Sequence, residues 1–342
     1  MRHKVFFWFF LPTGAAMFFF IAMPIFSVLI QSVFAPHEAV LIEVENCTPL
    51  VGCTTETTVD HRQTAALREA EPMGRFVGFD IYLDRGHLAV EELGVAWKES
   101  SSWVDFQQRV FNLPLYRALA FTLTYTFVVT PLLIVLGLMI ALAVNALHQH
   151  LKGPMIFVSL LPMIVTPLIG SLILFWMIDS RGVIGSMLVA MAGDPNFSLK
   201  ANTGLMWVAL IIYGIWSSAP FAFVVFYAGL QTLPRDQLEA AQIDGASRLQ
   251  QIRYVVVPHL LPLINFVALI QLMDNFRVFE PIIGFNSSAH ATSLSWIIFN
   301  DLGGETRQLS AAAVTSVLTI IGVSILLLPV LVRTWRDFKS KV

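Results

Sequence analysis

Gln271, Asp274 and Asn275 stand together in an otherwise apolar run. Residues three and four apart share a helix face, so the three would form one polar stripe. Trp216, Ser217 and Ser218 sit in a second apolar run and Thr166 in a third. Amide, carboxylate and hydroxyl groups beside an aromatic face suit reversible hydrogen bonding of a hydroxyl-rich solute such as a sugar. Polar groups inside apolar spans are functional candidates. The competing reading of each residue alone is structural. Serine and threonine often bond their own backbone, and Asp274 marks a membrane–water boundary. Bond-making chemistry is not indicated. The chain contains no G-x-x-x-x-G-K-[ST], H-E-x-x-H, C-x-x-C or G-x-S-x-G pattern. No catalytic residue, metal site or cofactor is therefore expected in this chain. His148 and His150 are two apart and do not share a helix face, so with Lys152 they read as a solvated turn.

Such a stripe needs a scaffold that tolerates lipid. Of 342 residues, 56% are hydrophobic and only 13% charged, against about 25% charged in soluble domains. The net charge of -2 gives no reason to expect nucleic-acid binding. A membrane span needs about 20 mainly apolar residues. Six segments qualify: Val5–Phe34, Arg117–Leu147, Met155–Ile178, Gly204–Leu230, Val257–Met273 and Leu309–Val332. The first is far longer than the apolar core of a signal peptide, about 7–15 residues, and is read as an uncleaved span. Pro162 and Pro167 would hinge or kink the third span.

Basic residues in short flanks mark the cytoplasmic side. Arg2, Lys4, Lys152, Arg235, Arg248, Arg253, Arg333, Arg336, Lys339 and Lys341 fall on one side. Arg181, Lys200, Arg277 and Arg307 fall on the other. The predicted fold is an all-α polytopic membrane protein of six transmembrane helices with both termini cytoplasmic. One extracytoplasmic insertion separates helices 1 and 2. The implied domains are 1–34 (tail and helix 1), 35–112 (the insertion) and 113–342 (helices 2–6, with a cytoplasmic loop at 231–262).

The insertion carries thirteen acidic residues against six basic ones. Cys47 and Cys53, the only cysteines, lie there. An oxidising compartment would let them pair; the alternative is two free thiols. Residues Glu38–Met73 read as loop-rich, and Phe76–Leu83 as a short strand.

Between spans four and five lies a compact polar segment. Pro234 suits a helix start. Ala240 and Ala241 are small enough for another surface to approach the backbone. Gly245 can take positive φ and end the helix. Ser247 followed by Gln250 is a capping-box pattern. Pro258 and Pro262 would break or kink the chain where it re-enters lipid. The product is helix, sharp turn, helix: either a rigid docking element or an amphipathic connector lying on the bilayer.

Glu239, Ala240, Ala241, Asp244, Gly245 and Ala246, with Pro258 and Pro262, match in register the E-A-A-x-x-D-G-A…P-x-x-x-P pattern. The segment closely resembles the EAA loop of ABC-importer permeases. Ala228-Gly229-Leu230-Gln231 with Leu233-Pro234 looks like the lead-in of carbohydrate importers. Phe76-Val77-Gly78-Phe79-Asp80-Ile81-Tyr82 resembles that branch's F-V-G-x-x-N-Y, departing at Ile81. The resemblance covers most of the chain from Phe76 and fails over 35–74. It departs again where T-G-G-G-P is usual and this chain has Ile283-Gly284-Phe285-Asn286-Ser287-Ser288.

The resemblance implies a permease without catalytic activity, embedded in lipid in a bacterial inner membrane. Its partners would be a second permease, two copies of an ATPase subunit that bind ATP and Mg, and an extracytoplasmic solute-binding protein. Glu239 would pair with a basic residue of the ATPase. The implied cargo is a sugar, polyol or related carbohydrate. The alternatives are another small solute, or an ion-coupled secondary transporter with Asp274 and Glu280 as the nearest relay candidates.

Overall fold

The computed structural model describes residues 3–37, 40–48, 52–194, 197–303 and 308–339. The chain starts with α1 (His3–Met17) and α2 (Met23–Gln31), joined by a π-helical turn. Next come β1 (Phe34–Ala35), β2 (Leu41–Thr48), β3 (Gly52–Val59), α3 (His61–Ala70), β4 (Arg75–Phe76), α4 (Asp80–Leu83), α5 (Val90–Glu99) and α6 (Trp103–Phe111). The rest is helical: α7 (Pro114–Ala146), α8 (Gln149–Ile164), α9 (Pro167–Met177), α10 (Val183–Ala192) and α11 (Thr203–Gln231). After these come α12 (Arg235–Ile243), α13 (Arg248–Gln251), α14 (Val257–Phe276), α15 (Glu280–Gly284), α16 (Leu294–Gly303) and α17 (Leu309–Lys339).

Among the described residues, five helices are long and apolar enough to cross a membrane: Phe7–Gln31, Pro114–Ala146, Thr203–Gln231, Arg248–Phe276 and Leu309–Arg333. The expected third span, Met155–Ile178, is instead a broken pair. Here α8 and α9 meet at 91°. Thr166 precedes Pro167 and is extended, at φ −61 and ψ 142, because the proline ring disfavours the helical region for the residue before it.

Pro258 and Pro262 were expected to break or kink the chain where it re-enters lipid, and a break does not occur. The helix is continuous over Arg248–Phe276, with a π-turn at Ile252–Val256. The first span repeats the device: its π-turn, Phe18–Ala22, ends two residues before Pro24. In a regular α-helix the proline ring collides with the carbonyl four residues back. A wider turn ahead of the ring displaces that carbonyl and lets the helix continue.

The chain folds as two compact units. The first takes in the chain up to Tyr116 together with Ile297–Ile320. Its insertion is more ordered than expected. The segment read as loop-rich holds a β2–β3 hairpin and α3, and the strand expected over Phe76–Leu83 is only β4 followed by α4. The run Thr54-Thr55-Glu56-Thr57-Thr58 is β-branched and suits a strand. It is polar on both faces, which hides the period-two signal. Asp60 caps α3 by accepting from the Arg62 and Gln63 amides at 2.9 and 3.1 Å. β1 pairs antiparallel with β4, and the Phe34 and Phe76 rings meet edge to face at 5.4 Å. The Tyr82 hydroxyl donates to Ser32 Oγ at 2.7 Å. The hairpin register sets the Cys47 backbone opposite Cys53; the side chains of this expected disulfide lie outside the described residues.

The second unit comprises Arg117–Trp296 and the chain from Ile321. Side chains of α7 (Phe121, Tyr125, Val129, Leu133), α11 (Leu210, Tyr213, Phe223, Phe226) and α14 (Leu260, Val267) form one buried cluster. Lipid tails are as apolar as these side chains, so close van der Waals packing and interhelical hydrogen bonds, rather than hydrophobic transfer, favour this association. Beyond the end of α9, Lys200 Nζ lies 2.8 Å from Asp179 Oδ2 and 3.4 Å above the Phe175 ring. The Lys200 hydrogen bond holds the Asp179 carboxyl below its ordinary range.

Candidate coupling loop and substrate path

The polar segment after α11 forms a tight elbow whose hydrogen bonds are local. α12 ends in a left-handed residue, Gly245 at φ +77. The Ala246 amide donates to the Ala241 carbonyl at 2.9 Å and the Gly245 amide to the Gln242 carbonyl at 3.0 Å. This six-to-one and five-to-two pair is a Schellman motif, which satisfies carbonyls that a helix end otherwise orphans. It gives Ala241 and Ala246 a structural role, and both are half-buried. The next residue starts α13. The Ser247 amide donates to Gln250 Oε1 at 2.7 Å and the Gln250 amide to Ser247 Oγ at 3.4 Å, completing the expected capping box. Gln251 Nε2 also donates to the Ala246 carbonyl at 2.9 Å.

Around this elbow Glu239, Ala240 and Asp244 are exposed. Leu238 packs on the unit's core and ties α12 to it. Ile243, Leu249 and Tyr254 are 86%, 75% and 68% exposed. Pro258 lies at the start of α14 and Pro262 within it.

A cavity of about 460 Å³ opens within the same unit, a volume usual for small-molecule sites. Tyr125 of α7, Pro167 at the α8–α9 corner, Ser217 and Ser218 of α11, and Gln271, Asp274 and Asn275 of α14 line it. Arg277, Val278, Glu280 and Pro281 complete the wall. Gln271, Asp274 and Asn275 thus share this wall with Ser217 and Ser218. Thr166 and Trp216 are not in the wall. Thr166 caps α9 through its carbonyl, which accepts from the Gly170 amide at 2.9 Å. Trp216 lies against Tyr213 with ring centroids 6.0 Å apart.

The wall is polar in a specific pattern. Asn275 is buried and donates through Nδ2 to Thr130 Oγ1 of α7 at 3.0 Å. Gln271 is 5% exposed, and its Oε1 has no hydrogen-bond partner. A buried acceptor without a donor is costly unless a ligand or water supplies one. Ser217 Oγ bonds the Gly214 carbonyl at 3.3 Å, as its structural reading anticipated. Asp274 pairs with Arg277 at 2.9 Å. Tyr125 in the wall and Thr130 behind Asn275 were not expected from the sequence, and Glu280 was expected only as a relay candidate of the alternative reading. A signal for Thr130 existed: Thr122, Thr126 and Thr130 recur every four residues in the second span, and all three are buried.

The family model described as "Binding-protein-dependent transport system inner membrane component" matches residues 110–336. The chain is 33% identical over 170 residues to a probable ABC transporter permease protein, y4oQ, of Sinorhizobium fredii, covering 49% of this chain and 53% of that one. It is 29% identical over 258 residues to the galactooligosaccharides transport system permease protein GanP of Bacillus subtilis, covering 70% of this chain and 61% of that one. The chain thus spans between about half and three-fifths of the length of these relatives. Among solved structures, a chain of the bacterial alginate ABC transporter in complex with alginate pentasaccharide-bound periplasmic protein superposes with TM-score 0.55. It is 25% identical, and the match covers 71% of this chain and 85% of that one. With the matched segment taking in the elbow, the cavity and all the spans but the first, the chain belongs to the family of binding-protein-dependent transport system inner membrane components.

Proposed function

We propose that this chain is one of two permease subunits of an ATP-driven importer, and that its cargo is a sugar, polyol or related carbohydrate delivered by an extracytoplasmic solute-binding protein. The observation that carries the reading is the elbow at 235–251. A Schellman turn and a capping box, back to back, make it stiff. An exposed Glu239 and the exposed Ile243, Leu249 and Tyr254 give it a docking face. A stiff lever between two spans is what force transmission from an ATPase requires. In this reading the elbow, together with both termini, is cytoplasmic. Two copies of an ATPase subunit bind ATP and Mg, and one of them receives α12. Coupling is then a difference in docking free energy between inward- and outward-facing states.

The carbohydrate assignment draws on the cavity and on the relatives. GanP is named for galactooligosaccharides, which are polyhydroxyl chains. Gln271, Asn275, Ser217 and Ser218 offer the donors and acceptors such cargo needs. The domain reading of 1–34, 35–112 and 113–342 belongs to the same proposal, with 231–262 as the coupling segment. In proteoliposomes holding the full set of subunits, uptake is expected to require ATP and to persist when ion gradients are collapsed. Uptake driven by a gradient without ATP would overturn it.

A further inference from the structure

The cavity wall has a charge imbalance that its polar hydrogen bonds do not explain. Among the described residues, Arg277 is the only basic side chain lining it, and that guanidinium is engaged by Asp274 Oδ1 at 2.9 Å. Glu280 adds a second carboxylate. Among the described residues no cation pairs with it. The wall therefore carries one uncompensated negative charge.

That charge is held in place. The Glu280 carbonyl accepts from Ser171 Oγ of α9 at 3.4 Å. Four residues on, Gly284 lies directly over Ser171. A Cβ there would overlap the Ser171 side chain and come within 3.0 Å of the Leu168 carbonyl. The absent side chain lets α15 seat tightly on α9, so Glu280 joins the wall from a fixed backbone. Beside it, Gln271 Oε1 and the hydroxyls of Ser217 and Ser218 are neutral groups that bond hydroxyls without regard to charge.

We propose that Glu280 sets the charge selectivity of this path: the cavity takes neutral polyhydroxyl solutes and turns away anionic ones that bear carboxylate or phosphate. This rests on the reading of the cavity as the solute path and adds a specificity-determining residue to it. Like charges about 6 Å apart at an effective dielectric near 20 change a binding constant by roughly 100-fold. Salt screening at an exposed carboxylate lowers that to about tenfold.

The test uses the assembled complex in nanodiscs, without the solute-binding protein, so that only the permeases choose. Equilibrium binding is measured for a panel of radiolabelled methyl hexosides and their matching methyl uronides, which differ by one carboxylate. Wild type is expected to favour each hexoside by about tenfold or more at low salt, and the ratio should shrink as salt rises. Glu280→Gln should raise the ratio of uronide to hexoside binding about tenfold. Equal binding of the two series by wild type overturns the inference. So does a ratio unaffected by both salt and Glu280→Gln. If no member of either series binds, the cavity is not a polyhydroxyl site and both readings fall together. If Glu280→Gln fails to assemble, the wild-type salt series decides alone: a flat ratio overturns the inference.

Discussion

Gly245 offers a direct test of the elbow, because its cost can be worked out residue by residue. It sits at φ +77, and no heavy atom lies within 4 Å of where a Cβ would be built. Steric overlap inside the chain is therefore not at issue, and the penalty is conformational. A left-handed backbone costs an L-residue roughly 1–2 kcal/mol, and a β-branched side chain lies at the upper end. The strain is relieved by opening the Schellman turn, which releases the bonds from the Gly245 and Ala246 amides. A penalty of this size lowers the ratio of turned to opened states by about 5–30-fold, and the apparent affinity of any partner that needs the turn falls by up to the same factor. The assay is titration of the ATPase subunit onto the permease pair in nanodiscs. Gly245→Val should bind most weakly, Gly245→Ala less so, and Gly245→Asn close to wild type, since asparagine tolerates this conformation. Wild-type affinity in the valine variant would refute the lever. Equal loss in the asparagine and valine variants would refute the backbone argument and point to a clash with the partner.

Other expectations follow from single contacts. Thr130→Val keeps the side-chain shape but strands the buried Asn275 amide, at about 1–3 kcal/mol. Thermal unfolding in detergent should show a lowered midpoint, restored by Thr130→Ser; equal midpoints for the two variants would contradict the role assigned to the bond. The Asp179 carboxyl is held below its ordinary value of 3.8 by Lys200. A depressed value stabilises the fold above the unfolded pKa, and this is lost as pH falls through the folded one. Asp179→Asn should therefore unfold earlier than wild type near neutral pH and match it at about pH 2; a deficit that persists in acid would contradict this. The Cys47 and Cys53 backbones stand opposite each other in β2 and β3, and an oxidising compartment would let cysteines so placed pair. Alkylation without reductant should leave both unlabelled; two labelled cysteines would exclude the bond.

How far the structure was legible in the sequence depended on the range of the interactions. The elbow was legible almost atom by atom. Its stop at Gly245 and its start at Ser247 and Gln250 depend on partners within five residues, and residue types at fixed spacing specify such bonds. The corner before Pro167 was legible for the same reason, although its 91° bend was not. The effect of Pro258 was misread: the ring's demand is local, but a π-turn absorbed it. The hairpin at 41–59 was hidden because a polar strand leaves no alternating pattern to find.

The sequence by itself determined that this chain lives in lipid, where its long apolar helices run, and the form of the elbow between two of them. Each of these follows from composition or from contacts a few residues apart. Only the tertiary structure decided which polar groups share a wall. Asn275 meets Thr130 across 145 residues of chain, and Glu280 joins Tyr125, Ser218 and Gln271 only because α15 seats on α9. Such meetings depend on how each helix is rotated and where it crosses its neighbour. Close packing against other helices sets both, and no local pattern of residues encodes them.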